Sequence, residues 1–187
     1  MSLPDHVPVL LRPPVSLRPW RYSDASLVRS VATDPLIPLI TTVPTTGTYA
    51  DAVAYIDRQH DRLTAGEGYS FVVADPVSDE PVGNIGLWTP NLARGRVSIG
   101  YWIAERYRRH GYAHAALAAV AAWAANLPGV ARMELFVEPW NEGSWRVAEA
   151  NGFAREGLLR RWQRVGDDYR DMWVYSRLAD VSSPSVG

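Results

Sequence analysis

The run AHAALAAVAAWAA, Ala113 to Ala125, restricts the fold more than any other part of the chain. Alanines and large apolar residues recur there at helical spacing, so a helix over this run is apolar nearly all round and has to be buried. It falls short of the roughly 20 apolar residues a bilayer core needs, and His114 interrupts it, so it does not span a membrane. Pro128 and Gly129 stop it. A covered helix needs further layers to cover it, and the flanking runs SIGYWI and RMELFVE both read as strands.

The hydrophobic period switches repeatedly along the rest of the chain, without repeats. VSLRPW reads as a first strand, and SDASLVRSVA as a helix with Ser23 as its cap. DPLIPLITTVP is an apolar loop broken by proline, a candidate substrate wall, and TYADAVAYIDRQHDRL is a helix opened by a Thr48-to-Asp51 capping arrangement. YSFVVAD, PVGNIGLW and GRVSIGYWI predict an antiparallel meander. After the buried helix come the strand RMELFVE, the helix NEGSWRVAEAN ended by Gly152, and a hairpin of FAREGLLRRWQRV and DDYRDMWVYSRL around GDD. The order predicts an α+β (mixed α/β) domain. At 187 residues one domain is expected, over 15–178. Residues 1–14, broken by Pro4, Pro8, Pro13 and Pro14, read as an extended arm, and 179–187 as a flexible tail.

Composition removes several classes of function. The chain has no cysteine, which excludes disulfides, thiolate metal sites and a cysteine nucleophile, and fits a cytoplasmic protein. Its formal net charge is −1, so no general basic field for nucleic acid is present. The prolines near the start interrupt any apolar signal core. The four histidines show no metal-ligand spacing except His110 and His114, which fit a helix start better than a metal, so no metal is expected.

RYRRHGYA carries the strongest chemical signal. It loads Arg108, Arg109 and His110 just before the buried helix, where orphan N–H groups and the positive dipole end disfavour cations. An anion held on those N–H groups, with Gly111 letting the backbone come close, resolves the conflict. On charge alone, a surface turn with solvated cations is an equal alternative. The pattern has neither the Lys-Ser/Thr of a P-loop nor a three-glycine dinucleotide fingerprint, and the chain has no Gly-x-Ser-x-Gly elbow or His-Glu-x-x-His.

Arg108 to Ala113 resembles the acetyl-CoA pyrophosphate loop of the GCN5-related N-acetyltransferases (GNAT). NEGSWRVAEANGFAREGLLR resembles the Asn-x-x-Ser-x-x-Val-x-Glu signature, with its following Gly-Phe and Glu-Gly, of the branch holding the RimJ/RimL-like ribosomal-protein N-terminal acetyltransferases. The closing GDDYRDMWVYSRL and the opening VSLRPWRYSDA resemble the same branch, so the likeness runs from Val15 to Leu178 in family order. It implies a mostly antiparallel sheet of about seven strands, splayed between its fourth and fifth, flanked by about four helices, with acetyl-CoA as co-substrate in the gap. Arg108, Arg109, His110, Gly111, Tyr112, Ala113 and His114 would surround its pyrophosphate, Ile103 its pantetheine amides, and Asn141 and Ser144 its arm and sulfur. Asn141 is equally a good N-cap, and Ser144 a first-turn residue completing that cap.

The implied activity is direct transfer of an acetyl group to a primary amine. A backbone N–H near Ile103 and Ala104 would stabilise the oxyanion, and Ser144 would protonate the leaving thiolate. Ser98, Ala115 and Gln163 stand where branch members often carry carboxylates, so the general base falls among Glu134, Glu138, Glu105 and Asp168, with Glu138 and Asp168 leading. Deprotonating a lysine of pKa about 10.4 at pH 7 costs roughly 4.6 kcal/mol, against roughly 1 kcal/mol for an α-amine. Scarcity of bases therefore favours a protein or peptide N-terminal α-amine as acceptor, ahead of a small-molecule amine such as an antibiotic or polyamine. A non-catalytic acyl-CoA-binding module is the rival class. Of the eight tryptophans, Trp140 and Trp145 flank Asn141 and Ser144 and are candidates to line the pocket, while the rest are expected in the core or half-buried. No nucleic-acid or membrane partner is expected, and the chain is read as a monomer or homodimer.

Overall fold

Near-continuous burial along the central strands, as over Gly68–Ala74, gives one sheet two dry faces. The structure is a computed structural model that describes residues 2–179. Its eight strands are β1 (Leu10–Arg12), β2 (Val15–Arg18), β3 (Gly68–Ala74), β4 (Pro81–Trp88), β5 (Arg96–Ile103), β6 (Arg132–Val137), β7 (Ala154–Val165) and β8 (Asp168–Leu178). They lie in the order β1-β2-β3-β4-β5-β6-β8-β7, antiparallel except for β5 beside β6. The five helices are α1 (Ala25–Ser30), α2 (Ile37–Ile40), α3 (Tyr49–Thr64), α4 (Tyr112–Ala124) and α5 (Glu142–Ala150).

Phe71, Ile85, Leu87, Ile99, Met133, Leu135 and Val137 face α4 and α5 in one core. Val72, Ala74 and Trp102 face α1 and α3 in the other. The alanine-rich α4 is buried along most of its length, as its composition requires, because small side chains let it settle closely on the sheet. Among the described residues no helix is long and apolar enough to cross a membrane.

The expected splay is present. β5 and β6 pair only at Arg96–Arg132, Val97–Met133 and Ser98–Glu134, and no further rung joins them toward Ile103 and Val137. The predicted meander is β3-β4-β5, and the predicted closing hairpin is β7-β8. Thr48 caps α3 as its sequence suggests, accepting from the Asp51 N–H at 3.1 Å. Ser23 does not cap α1. Asp24 stands at that helix start and takes both guanidinium nitrogens of buried Arg18 at 2.8 Å, so the Arg-Pro-x-x-x-x-Asp opening is a buried bidentate pair that fixes β2 to α1.

The strand and helix counts exceed those expected, for local reasons. Part of the stretch read as an arm, Leu10–Arg12, folds back on β2 as an extra strand, and the Tyr69 hydroxyl donates to Pro4 O at 2.7 Å. The apolar loop contains the one-turn α2, because Asp34 Oδ1 accepts from the Leu36 and Ile37 N–H groups at 2.9 Å each. Apart from Ala179, the tail 179–187 lies outside the described residues.

Candidate active site

The loop after β5 is built to expose backbone N–H groups. Arg109 (φ 66°) and Gly111 (φ 78°) both take the left-handed conformation, and no side chain caps α4. A side chain at Gly111 would point into open space, so the start of α4 is open in front, with its first-turn N–H groups free of side-chain acceptors among the described residues. The concave run of N–H groups at the positive end of a buried helix suits a pyrophosphate.

The cations around it divide. Arg109 makes no ion pair among the described residues, whereas Arg108 is held from below, donating to Ile103 O at 3.0 Å and to Asp34 Oδ2 at 2.7 Å. Arg108 therefore braces the loop against the end of β5 and the start of α2. The His110 ring lies against the Tyr107 and Arg108 carbonyls and stacks on Tyr112, and His114 Nδ1 sits 3.0 Å from Asn151 Nδ2. Asn151 also donates to Val147 O, so it ties α4 to the end of α5. Ile103, at the end of β5, is buried.

Ser144 and Asn141 come together as expected but share out their roles. Asn141 Oδ1 accepts from the Ser144 N–H at 3.2 Å and is the N-cap of α5. The Ser144 hydroxyl takes no part in the cap and lies 2.9 Å from the Tyr101 phenol. Burial pushes the Tyr101 pKa up to about 12, with the Ser144 hydrogen bond pulling the other way, so the phenol stays protonated near neutrality.

A cleft of about 730 Å³ runs through the splay. Tyr101, Asn141 and Ser144 line it from the α4 and α5 side, and Asn84, Trp88, Ser98, Trp102 and Glu138 from the α3 side. Continuing the β5–β6 register past its last rung sets Trp102 level with Glu138, and Asn84 pairs with Trp102 from β4. The floor on the α3 side is hollowed by facing glycines. Gly86 pairs with Gly100, and a Cβ on Gly86 would come within 2.1 Å of the Trp88 ring, so that ring lies flat across the pair. The Arg62 guanidinium lies over the Trp88 ring, 4.6 Å from its centre.

Of the candidate bases, Glu138 alone lines this cleft. It is 8% exposed; its Oε2 accepts from the Trp140 indole, and its Oε1 is buried without a partner. Glu134 is tied to Arg132 at 2.7 Å, Asp168 pairs with Arg170 at an exposed hairpin end, and Glu105 is exposed beyond β5. Ser98 and Gln163 line the cleft without a carboxylate, and Ala115 is buried in α4. Trp140 lines the cleft, but Trp145 packs against the α4 core instead, and Trp162 stands 54% exposed on a bulge, stacked on Phe136. Tyr101 and Asn84 carried no separate signal in the sequence, because their meaning depends on which face of the sheet each occupies.

A family model described as an acetyltransferase (GNAT) domain matches residues 15–154. The N-acetyltransferase p20 of Bacillus licheniformis, itself uncharacterised, is 24% identical over 88% of this chain and 92% of its own length. The ribosomal-protein-serine acetyltransferase of Escherichia coli is 29% identical over 60% of this chain and 63% of its own length. Among solved structures, Mycobacterium smegmatis RimJ in complex with CoA-disulfide superposes with a TM-score of 0.76 at 26% identity, covering 92% of this chain and 87% of RimJ. The loop before α4, the splay and the cleft are thus set in a known frame: the chain belongs to the GNAT acetyltransferases, acyltransferases that take their acetyl group from acetyl-CoA.

Proposed function

We propose that the chain acetylates a protein or peptide N-terminal α-amine by direct transfer from acetyl-CoA. Backbone N–H groups from Arg109 to Ala113 hold the pyrophosphate, Arg109 and His110 flank it, and the edge of β5 near Ile103 takes the pantetheine amides. The cofactor supplies an activated acetyl thioester, and the chain supplies positioning and proton transfer. From the α3 side, Glu138 Oε1 accepts the proton that the attacking amine loses. From the α5 side, Ser144 donates toward the departing sulfur, the neutral Tyr101 phenol beside it holds that hydroxyl in place, and water entering the cleft as CoA leaves restores the serine proton and takes the one held by Glu138. Because the splay breaks β5–β6 pairing before Ile103, the Ile103 N–H is turned to the gap, whereas the Ala104 N–H points the other way and donates to Val82 O at 3.0 Å. Ile103 is therefore the better oxyanion donor of the two.

The observation that carries this reading is Glu138, a buried carboxylate with one oxygen unpartnered, level with the splay. A single carboxylate suffices for an amine that is already near neutrality, and an α-amine is cheaper to deprotonate at pH 7 than a lysine by roughly 3.5 kcal/mol. The ribosomal-protein-serine acetyltransferase of Escherichia coli, whose name places its acceptor on a ribosomal protein, supports the same choice. The test is release of CoA thiol with three acceptors: a lysine-free peptide with an open N-terminus, its N-blocked counterpart carrying one lysine, and a polyamine. Highest kcat/KM for the first is expected, and preference for either of the others overturns the α-amine reading.

A further inference from the structure

We infer that Asn84 reads the acceptor, donating its side-chain N–H to a carbonyl or carboxylate oxygen next to the amine. The inference rests on the acetyltransferase reading and adds the chemistry of the acceptor to it. Asn84 is 6% exposed and lines the cleft on the same face of the sheet as Glu138, across the splay. Its orientation follows from its neighbours. The Trp20 indole N–H can only donate, and it lies 3.2 Å from one Asn84 amide atom, so that atom is the oxygen. The Ser70 hydroxyl lies 2.9 Å from the same oxygen.

Behind that oxygen the Gln59 amide is oriented in its turn, and Ser70 bridges the two amide oxygens. Gln59 donates to Tyr55 O at 3.1 Å, which turns Gln59 Oε1 toward the Ser70 hydroxyl at 3.1 Å and Arg62 Nε at 3.2 Å. Turning the Asn84 amide over would set its –NH₂ against the Trp20 indole N–H and leave that donor Ser70 Oγ, also at 3.2 Å, as its one remaining acceptor among the described residues. With its oxygen committed to the α3 side, the Asn84 –NH₂ is the half left for the cleft. An amine whose proton goes to Glu138 and whose neighbouring oxygen meets Asn84 is an α-amino carbonyl compound. A chain N-terminus and a free amino acid both have that form.

The experiment compares kcat/KM for alanine amide with that for a fluorinated alkylamine of matching amine pKa and no carbonyl. The wild-type protein is expected to favour alanine amide at least tenfold, and Asn84→Asp, which keeps an oxygen for Trp20 and Ser70 but turns an acceptor toward the cleft, to reduce that ratio at least tenfold. Asn84→Ala should do the same. Equal use of the two amines by wild type overturns the inference even if neither variant folds, and so does an unchanged ratio in a folded variant, which marks Asn84 as structural. Alanine, with its carboxylate, and alanine amide, with its carbonyl, distinguish the two sources of the oxygen, and preference for either supports a reader of that oxygen. Failure of wild type to acetylate any of these amines would instead count against the proposed α-amine function.

Discussion

The hydroxyl of Ser144 is hydrogen-bonded to the Tyr101 phenol and to nothing in the helix cap, which belongs to Asn141. Ser144→Ala is therefore expected to lower kcat by roughly 10- to 1,000-fold while the acetyl-CoA dissociation constant changes by less than about tenfold. Its melting temperature should stay near wild type, whereas Asn141→Ala should lose about 1 kcal/mol of stability with the cap. A Ser144→Ala protein with full turnover would leave Tyr101 as the donor to sulfur. Glu138→Gln keeps the shape and the Trp140 contact but cannot take a proton, so kcat should fall roughly 100- to 10,000-fold with acetyl-CoA binding retained. Retained turnover in that variant would remove Glu138 as the base. That Asn141 and Ser144 stand together was legible in the sequence because both lie in one continuous signature, whereas Glu138 could be read only from its place at a strand end, a ground it shared with Asp168. Tyr101 was not legible, since its partner is 43 residues away and only the parity of β5 brings the two together. Asn84 was hidden for the same reason, its amide being oriented by Trp20, 64 residues distant.

At the scale of elements, the junction of β5 and α4 has the clearest consequence. Gly111 has a left-handed φ of 78°, and a side chain there would project into the open space in front of the first-turn N–H groups. Acetyl-CoA at about 100 times its dissociation constant should stabilise the wild-type fold by roughly 2.7 kcal/mol, or about 5 to 10 °C in Tm for a chain of this size. Gly111→Glu should abolish that shift, because its carboxylate occupies an anion site, while lowering the ligand-free Tm only by the cost of a left-handed non-glycine residue, about 1 kcal/mol. A folded Gly111→Glu protein that still shows the full shift would place the pyrophosphate elsewhere. The long elements were legible from period alone, and α4 most of all. What escaped were pieces whose signal is too short or lies in contacts: β1, made by three residues folding back on β2, and α2, a single turn started by Asp34. The shift between Leu159 and Gln163 in β7 is of the same kind, since Asp171 Oδ1 holds the Arg161 N–H at 2.7 Å from the opposite strand.

Across the whole molecule, ion pairs join segments far apart in the chain, and their carboxylates make stability depend on acid. Arg18 is the largest influence holding Asp79 below its ordinary pKa, helped by Arg21. Burial works against Asp34, but the Ile37 and Leu36 N–H groups and Arg108 together keep it low as well. Arg132 first, then Ser176, hold Glu156 down to about 2, and the Arg132 pair clamps β6 to β7 with an Nη1 to Oε1 distance of 2.8 Å. In each case the folded pKa lies below the unfolded one, so the unfolded chain binds more protons as pH falls. The stabilisation is therefore complete above the ordinary carboxylate range, near pH 4 to 5, and is lost as pH drops toward 2. Tm should be nearly flat from pH 7 to about 5 and fall steeply below about 4. Glu156→Gln should lower Tm at neutral pH and shallow the decline between about pH 4 and 2, because that variant has one fewer proton to take up. Glu156 is 43% exposed, so the effect is screened and should shrink further in 1 M NaCl. A Glu156→Gln protein whose Tm falls as steeply with acid as wild type would assign the acid limb to Asp34 and Asp79, the pairs that hold α2 to the loop before α4 and β2 to the β3–β4 turn.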